Sequence, residues 1–355
     1  MYIEKITGSV RNLRIPSGID QFLGEGEIYR LKWRFKFWKR WLFAFVIIEW
    51  LGIVKRIDRI ESKHRRILWI NLAAPSLGDS LMDLSARPLL VDRNVDLLSH
   101  PKNICLYQKD PWFCDVADDP SEFKKRDYDL VICDAFSPRV LIQKLLIAPL
   151  TPYVGLYEFV NGFEVHRTYF SFGRMMELLD LRSTDSPLRP TICLSGPLSV
   201  TIPPVDVCVA VGGEWAFRTY QNWRQIISWL VRNGYSVSLV GSENGIEMSE
   251  EIVASEPSVR STVGTLSLQE VVGEIAGAKL FIGADGGLWH IACAIPKPTV
   301  VLFADCQIFD EEGHRVTRET TDMVCETLYD DVMVSNISPD SVIAAFQRLW
   351  TRTEV

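Results

Sequence analysis

From residue 63 onward the chain alternates short apolar runs with stretches whose apolar positions fall three and four residues apart. Gly, Asp, Ser or Pro closes most of the runs. This rhythm predicts strands and helices in alternation, and hence an α/β fold. Strands are expected over 63–71, 95–99, 103–107, 128–133, 149–156, 205–211, 235–240, 259–262, 280–282, 299–303 and 323–326. Helices are expected over 80–87 (stopped by Pro88), 121–125, 138–146, the latter half of 159–181, 221–233, 247–254, 268–276, 288–294 and 339–349. A segment rich in Ser, Pro and Leu, 184–204, interrupts the series. At 355 residues the chain suits two domains. The expected division is an extension at 1–65, an α/β domain at 66–185, a linker at 186–204 and a second α/β domain at 205–355.

The extension follows another pattern. Over 29–54 it reads YRLKWRFKFWKRWLFAFVIIEWLGIV, with Arg30, Lys32, Arg34, Lys36, Lys39 and Arg40 interleaved with Trp33, Phe35, Phe37, Trp38 and Trp41. The apolar part, broken by Glu49, is shorter than the ~20 residues of a membrane span. It predicts one or two interfacial helices on an anionic membrane surface, through residues 29–56. The alternation at 30–37 fits a strand as well, and a helix packed on the body is the plainer alternative. Charge sharpens the contrast. Residues 1–65 hold 14 Lys and Arg against 7 Asp and Glu, and the remainder 24 against 38. A basic head on an acidic body suits an anionic surface, and nothing else in the chain supports nucleic acid as a partner. The eight Cys lack any Cys-x-x-Cys, and several lie in apolar runs, so they read as free thiols in a cytoplasmic protein. No secretory signal is expected, and the five His have no metal-ligand spacing.

The most informative stretch runs from Ala278 to Phe303, AKLFIGADGGLWHIACAIPKPTVVLF. It reads as a strand, a tight turn at Asp285-Gly286-Gly287, a helix closed by Pro296 and Pro298, and a second strand. The glycines let the backbone approach a ligand. The first helical N–H groups, from Gly287 and Leu288 on, then point at it, which makes an anion site and most simply a phosphate site. Asp285 is expected as helix N-cap or as partner of a ligand hydroxyl. His290, in the first turn, is expected to help hold the phosphate. A second loop, Ser76-Leu77-Gly78-Asp79, follows the first strand of the first domain. Gly78 lets it turn sharply, and Asp79 is presented there or caps the helix. Asp83, one turn on, is expected as a solvated or supporting carboxylate. Asp127-Tyr128-Asp129 spells a metal-binding Asp-x-Asp, but it precedes its strand, at the end away from ligands in open α/β sheets, and is read as incidental. No Gly-x-Gly-x-x-Gly follows the first strand, which disfavours a dinucleotide dehydrogenase.

Together these two motifs resemble the family-9 glycosyltransferases, the ADP-heptose:lipopolysaccharide heptosyltransferases. Asp285, Gly287, His290, Ala292, Ala294, Pro298, Thr299, Val300, Leu302 and Phe303 fall in register with the family's C-terminal signature, and Ser76–Asp79 matches its N-terminal Ser-Leu-Gly-Asp loop. Gly286 stands where the family has Ser or Thr, and Pro296 and Ala304 each replace a Gly. The resemblance covers 66 to about 350 and implies a GT-B architecture, two Rossmann-like domains facing a central cleft. It implies an inverting transfer of a sugar, heptose from ADP-heptose, to a lipopolysaccharide-core or similar surface glycan. Asp79 is then the general base, with Ser76 and Gly78 shaping its loop. The donor is held by Asp285, Gly286, Gly287, Leu288 and His290, by Arg218 and Tyr220 in place of a family Lys and its neighbour, and by Glu243 at the ribose. His166, Arg167 and Arg174 lie where the family faces its acceptor, and read as acceptor contacts or as surface residues. No metal and no cofactor beyond the nucleotide sugar is implied, and the location is cytoplasmic, peripheral on the inner membrane. The alternatives are a GT-B transferase using a UDP- or GDP-sugar, and an inactive nucleotide-binding scaffold.

Overall fold

The structure is a computed structural model. It describes residues 56–73, 75–157, 167–181, 191–195, 203–304, 325–330 and 332–353, together with 38, 39, 42, 43 and 46. Most of the basic aromatic stretch, His166, most of the linker 186–204, and the acidic loop after Phe303 with His314 lie outside the described residues. The chain divides into two compact units, 1–190 and 191–355.

The first unit holds five parallel strands: β1 (Arg66–Asn71), β2 (Asn94–Ser99), β3 (Asp115–Ala117), β4 (Leu130–Cys133) and β5 (Tyr153–Gly155), in the order β3-β2-β1-β4-β5. β1, with Ile67 to Ile70 wholly buried, is the centre of the sheet. An unbroken apolar run of this kind is what a parallel strand covered on both faces requires. Its helices are α1 (Leu77–Asp83), α2 (Pro138–Ile147) and α3 (Arg167–Leu178). α2 starts where Ser137 caps it and Pro138 takes the first turn. Residues 56–60, counted above with the extension, are tied to this unit. Arg56 bridges Tyr153, and the Ile60 N–H donates to Leu178 O at 2.6 Å.

The second unit holds six parallel strands: β6 (Val207–Ala210), β7 (Val237–Val240), β8 (Arg260–Ser261), β9 (Leu280–Ala284), β10 (Thr299–Ala304) and β11 (Cys325–Asp330), in the order β11-β10-β9-β6-β7-β8. Its helices are α4 (Trp223–Arg232), α5 (Ile246–Ser255), α6 (Leu268–Gly277), α7 (Gly287–Ala294) and α8 (Pro339–Thr353). α4 turns Trp223, Ile226, Ile227 and Leu230 into the core at helical spacing. A capping box between Ser267 and Glu270 fixes the start of α6.

Both sheets reverse strand order once, between β1 and β4 in the first unit and between β6 and β9 in the second. Ligands of doubly wound sheets bind at the carboxyl ends of the strands at such a reversal. These points therefore locate a candidate site in each unit before any side chain is considered.

Three local expectations are corrected. Residues 103–107 form a helical turn at Ile104–Tyr107, with the Gln108 N–H donating to Ile104 O, and no strand. The helix expected at 80–87 begins at Leu77 and does not stop at Pro88, because the chain tightens into a 3-10 turn from Leu84 to Leu90 that holds the proline. The segment expected as helix at 121–125 is a single 3-10 turn, Pro120–Glu122.

Candidate active site

In the second unit the loops after β6, β7 and β9 border an open pocket, lined by Gly212, Gly213, Arg218, Gly241, Ser242, Asn244, Asp285, Gly286, Gly287 and Leu288 among others. α7 opens into it with Gly286 as N-cap, and no side chain caps the helix. Its first N–H groups, with the positive end of the helix dipole, face the pocket. Asp285 is therefore not the N-cap. Its carboxylate takes an ion pair from Arg218 at 3.2 Å, while its N–H donates to Leu302 O at 2.9 Å. The sequence pattern and the geometry agree in bringing Arg218 and the 285–288 turn to one pocket.

The glycines here differ in kind. Gly286 is extended (φ 169°), a conformation open to any residue, and a Cβ on it would meet only Ala284 O, at 3.9 Å. The lack of a side chain at 286 is thus a matter of chemistry and not of backbone strain. Gly212 has φ +86°, which favours glycine, and a Cβ on it would lie 2.9 Å from Asn244 Oδ1. A Cβ on Gly241 would lie 2.5 Å from Val211 O. Gly241→Ala should push the β6 and β7 ends apart and cost about 1–3 kcal/mol. A melting temperature lowered by several degrees, with weaker nucleotide binding, is the expected result of a thermal melt with and without ADP.

Tyr220, read as a donor ligand, is corrected. It is wholly buried in the core edge-on to Trp223, and its hydroxyl donates to Ile337 O at 2.9 Å. Glu243 is exposed beside the pocket, whereas its neighbours Ser242 and Asn244 line it. Asn244 also donates to Gly213 O at 2.8 Å and so braces the glycine loop. His290 lies half-buried in the first turn against Trp289, outside the pocket lining.

In the first unit Asp79 is on the first turn of α1, half-buried, at the carboxyl end of β1. Ser76 is the N-cap residue by position but makes no side-chain cap bond, and Gly78 is buried. Of the two readings of Asp83, solvated or supporting, the solvated one is corrected: it is wholly buried, and Arg167 grips it with Nε on one carboxylate oxygen and Nη2 on the other. Arg167 Nη1 lies 3.5 Å from Asp79 Oδ1. Arg174 pairs with Glu177 at 2.8 Å, which gives it a local partner on α3. Asp129 accepts the N–H groups of Arg65 and Arg66, a structural task at the amino end of β1 that suits the incidental reading of its motif.

Sequence reasoning passed over Asp134. It is wholly buried at the end of β4, and its carboxylate accepts the N–H groups of Ala73 (2.7 Å) and Ala135 (2.6 Å). It thereby anchors the start of the loop that leads to Asp79. Its position directly after a strand at the order reversal was the available signal. Burial, with the nearby Asp83 charge adding, pushes its carboxyl up to about 7. Since this folded-state value lies above the unfolded one, its stabilising contribution is complete at low pH and is lost as pH rises through 7. Between pH 5 and 8 the melting temperature should fall more steeply in the wild type than in Asp134→Asn, and equal slopes would contradict this assignment. Among the described residues no group of three His, Cys, Asp or Glu side chains comes together to hold a metal ion.

Two doubly wound parallel-sheet domains in one chain, each with candidate site residues at its strand-order reversal, define a GT-B fold of the glycosyltransferase type. Residues 207–309, the part that carries the pocket, match the model of glycosyltransferase family 9 (heptosyltransferase). The chain is 32% identical over 121 residues to lipopolysaccharide heptosyltransferase 2 of Salmonella typhimurium. That match spans 32% of this chain and 35% of the relative, about a third of its length. The solved structure of E. coli ADP-heptose lipopolysaccharide heptosyltransferase II superposes with a TM-score of 0.64 at 18% identity, over 82% of this chain and all of that one. The E. coli heptosyltransferase WaaC, solved with ADP, gives 0.62 at 15% identity, over 81% of this chain and 99% of that one.

Proposed function

We propose that the protein is an inverting glycosyltransferase that moves a heptose from ADP-heptose to a lipopolysaccharide-core or similar surface glycan. One observation carries the reading: an uncapped helix start and Arg218 line one pocket inside the segment that matches the family-9 model. The diphosphate of the donor binds the N–H groups from Gly287 onward, with Arg218 opposite. Asp79 of the first unit takes the proton of the acceptor hydroxyl as it attacks the anomeric carbon. The sugar–phosphate bond breaks, and negative charge grows on the leaving ADP. The helix dipole and Arg218 stabilise that charge, with no metal and no cofactor needed. The test is to incubate the protein with ADP-heptose and a lipopolysaccharide acceptor lacking its outer heptose, and to follow ADP release and the acceptor's mass. One heptose added per ADP released supports the reading, and no transfer contradicts it.

Gly286 favours a second reading. A serine would fit at 286 without strain, so the missing hydroxyl changes what the phosphate turn offers a donor. A UDP- or GDP-sugar is accordingly the competing donor, and ADP-, UDP- and GDP-sugars tried in the same assay separate the two.

The protein is further proposed to rest on the anionic inner face of a membrane. Trp38, Lys39 and Leu42 are exposed, while Phe43 packs against the core of the first unit. No described helix is long and apolar enough to cross a bilayer. Removing residues 1–54 should abolish most co-sedimentation with anionic liposomes but not with neutral ones. Undiminished co-sedimentation would count against this role.

A further inference from the structure

We propose that Arg167, held by Asp83, is the positioning residue that fixes the carboxylate of Asp79. The inference rests on the reading of Asp79 as base.

Asp79 and Asp83 are four residues apart on α1 and so share one face of the helix. Left alone, two carboxylates there repel each other, and the half-exposed Asp79 side chain is free to turn toward solvent. The guanidinium lies between them. Its Nε and Nη2 are taken by Asp83 in a two-point grip, which fixes the plane of the fork. The remaining corner, Nη1, is then aimed at Asp79 Oδ1 at 3.5 Å. Further contacts lock the arginine in place. Its guanidinium lies over the Tyr157 ring at 4.8 Å, and its carbonyl accepts the Tyr157 hydroxyl at 3.2 Å. Ser171, one turn along α3, donates to Asp83 O.

A core built for stability alone has a simpler solution. Burying a carboxylate is costly, and well-packed apolar residues of similar volume replace such pairs without loss in many proteins. Burial raises the Asp83 carboxyl above its ordinary range, and the Arg167 charge opposes that rise. The costly pair sits beside the one carboxylate to which the reaction assigns a proton, and its third corner faces it. A base misplaced by about 1 Å loses about 10²-fold in rate. That sets the scale of what the arginine contributes.

The test is a set of three proteins: wild type, Asp79→Asn, and the double variant Asp83→Asn with Arg167→Gln. The double variant leaves no lone buried charge, so it folds where either single change would strand one. Expected is a melting temperature within a few degrees of wild type, unchanged ADP affinity and unchanged KM for the sugar nucleotide, with kcat lowered about 10- to 100-fold. A merely structural pair predicts an altered melting temperature with normal kcat. A folded double variant with wild-type kcat, beside an inactive Asp79→Asn, overturns the positioning role and leaves the base assignment standing. An active Asp79→Asn overturns both.

Discussion

Replacing Asp79 with Asn should lower kcat by about 10²- to 10⁴-fold, the range that a positioned general base contributes. The side chain keeps its size and polarity, so α1 and its loop are retained. ADP binding should stay as in the wild type, because the pocket built from Gly212, Arg218 and the 285–288 turn lies wholly in the second unit. Steady-state kinetics with a saturating acceptor, beside calorimetry with ADP, separate the two effects. Loss of turnover with binding intact supports the assignment. Turnover near wild type would remove Asp79 from the mechanism.

Arg218→Ala should weaken ADP binding by about 10- to 100-fold, as expected for loss of a charge-assisted hydrogen bond worth about 1.5–3 kcal/mol. Two effects act in the same direction. The cation facing the diphosphate is lost, and Asp285, which Arg218 pairs at 3.2 Å, is left as a bare carboxylate beside an anion. kcat should fall as well, since charge on the leaving diphosphate grows in the transition state. Arg218→Lys should recover part of the binding, because a point charge replaces a fork. An unchanged ADP affinity in Arg218→Ala would mean that the arginine only orients Asp285, and the helix start would then be the sole phosphate contact.

The sequence was most legible where glycine and aspartate follow an apolar run. Both loops at the strand-order reversals, 76–79 and 285–288, could be read from turn chemistry, since only a few residue types suit a strand that ends in a tight turn and a helix start. Long-range partnership was not legible in the same way. Arg167 and Asp83 are 84 positions apart, and no local pattern joins them, so Arg167 read as an acceptor contact or a surface residue. Tyr220 was misread because it was placed by an approximate match to the family's Lys and the aromatic residue after it. The hydroxyl at its tip finds Ile337 O, and its ring serves the core. Ser242 and Asn244 were not legible because the acidic Glu243 between them, which is exposed beside the pocket, was the match to the family's ribose carboxylate. The turn at 104–107 failed for another reason: Ile-Cys-Leu-Tyr is as apolar as a strand, and a run of four residues has too few positions for periodicity to distinguish the two.

The proposed function requires the second unit to hold a nucleoside diphosphate against the start of α7. Isothermal titration of the purified protein with ADP, UDP and GDP, each with and without Mg²⁺, tests it most directly. Saturable ADP binding that does not depend on Mg²⁺ and is tighter than binding of UDP or GDP is the expected result. Failure to bind any of the three would contradict it.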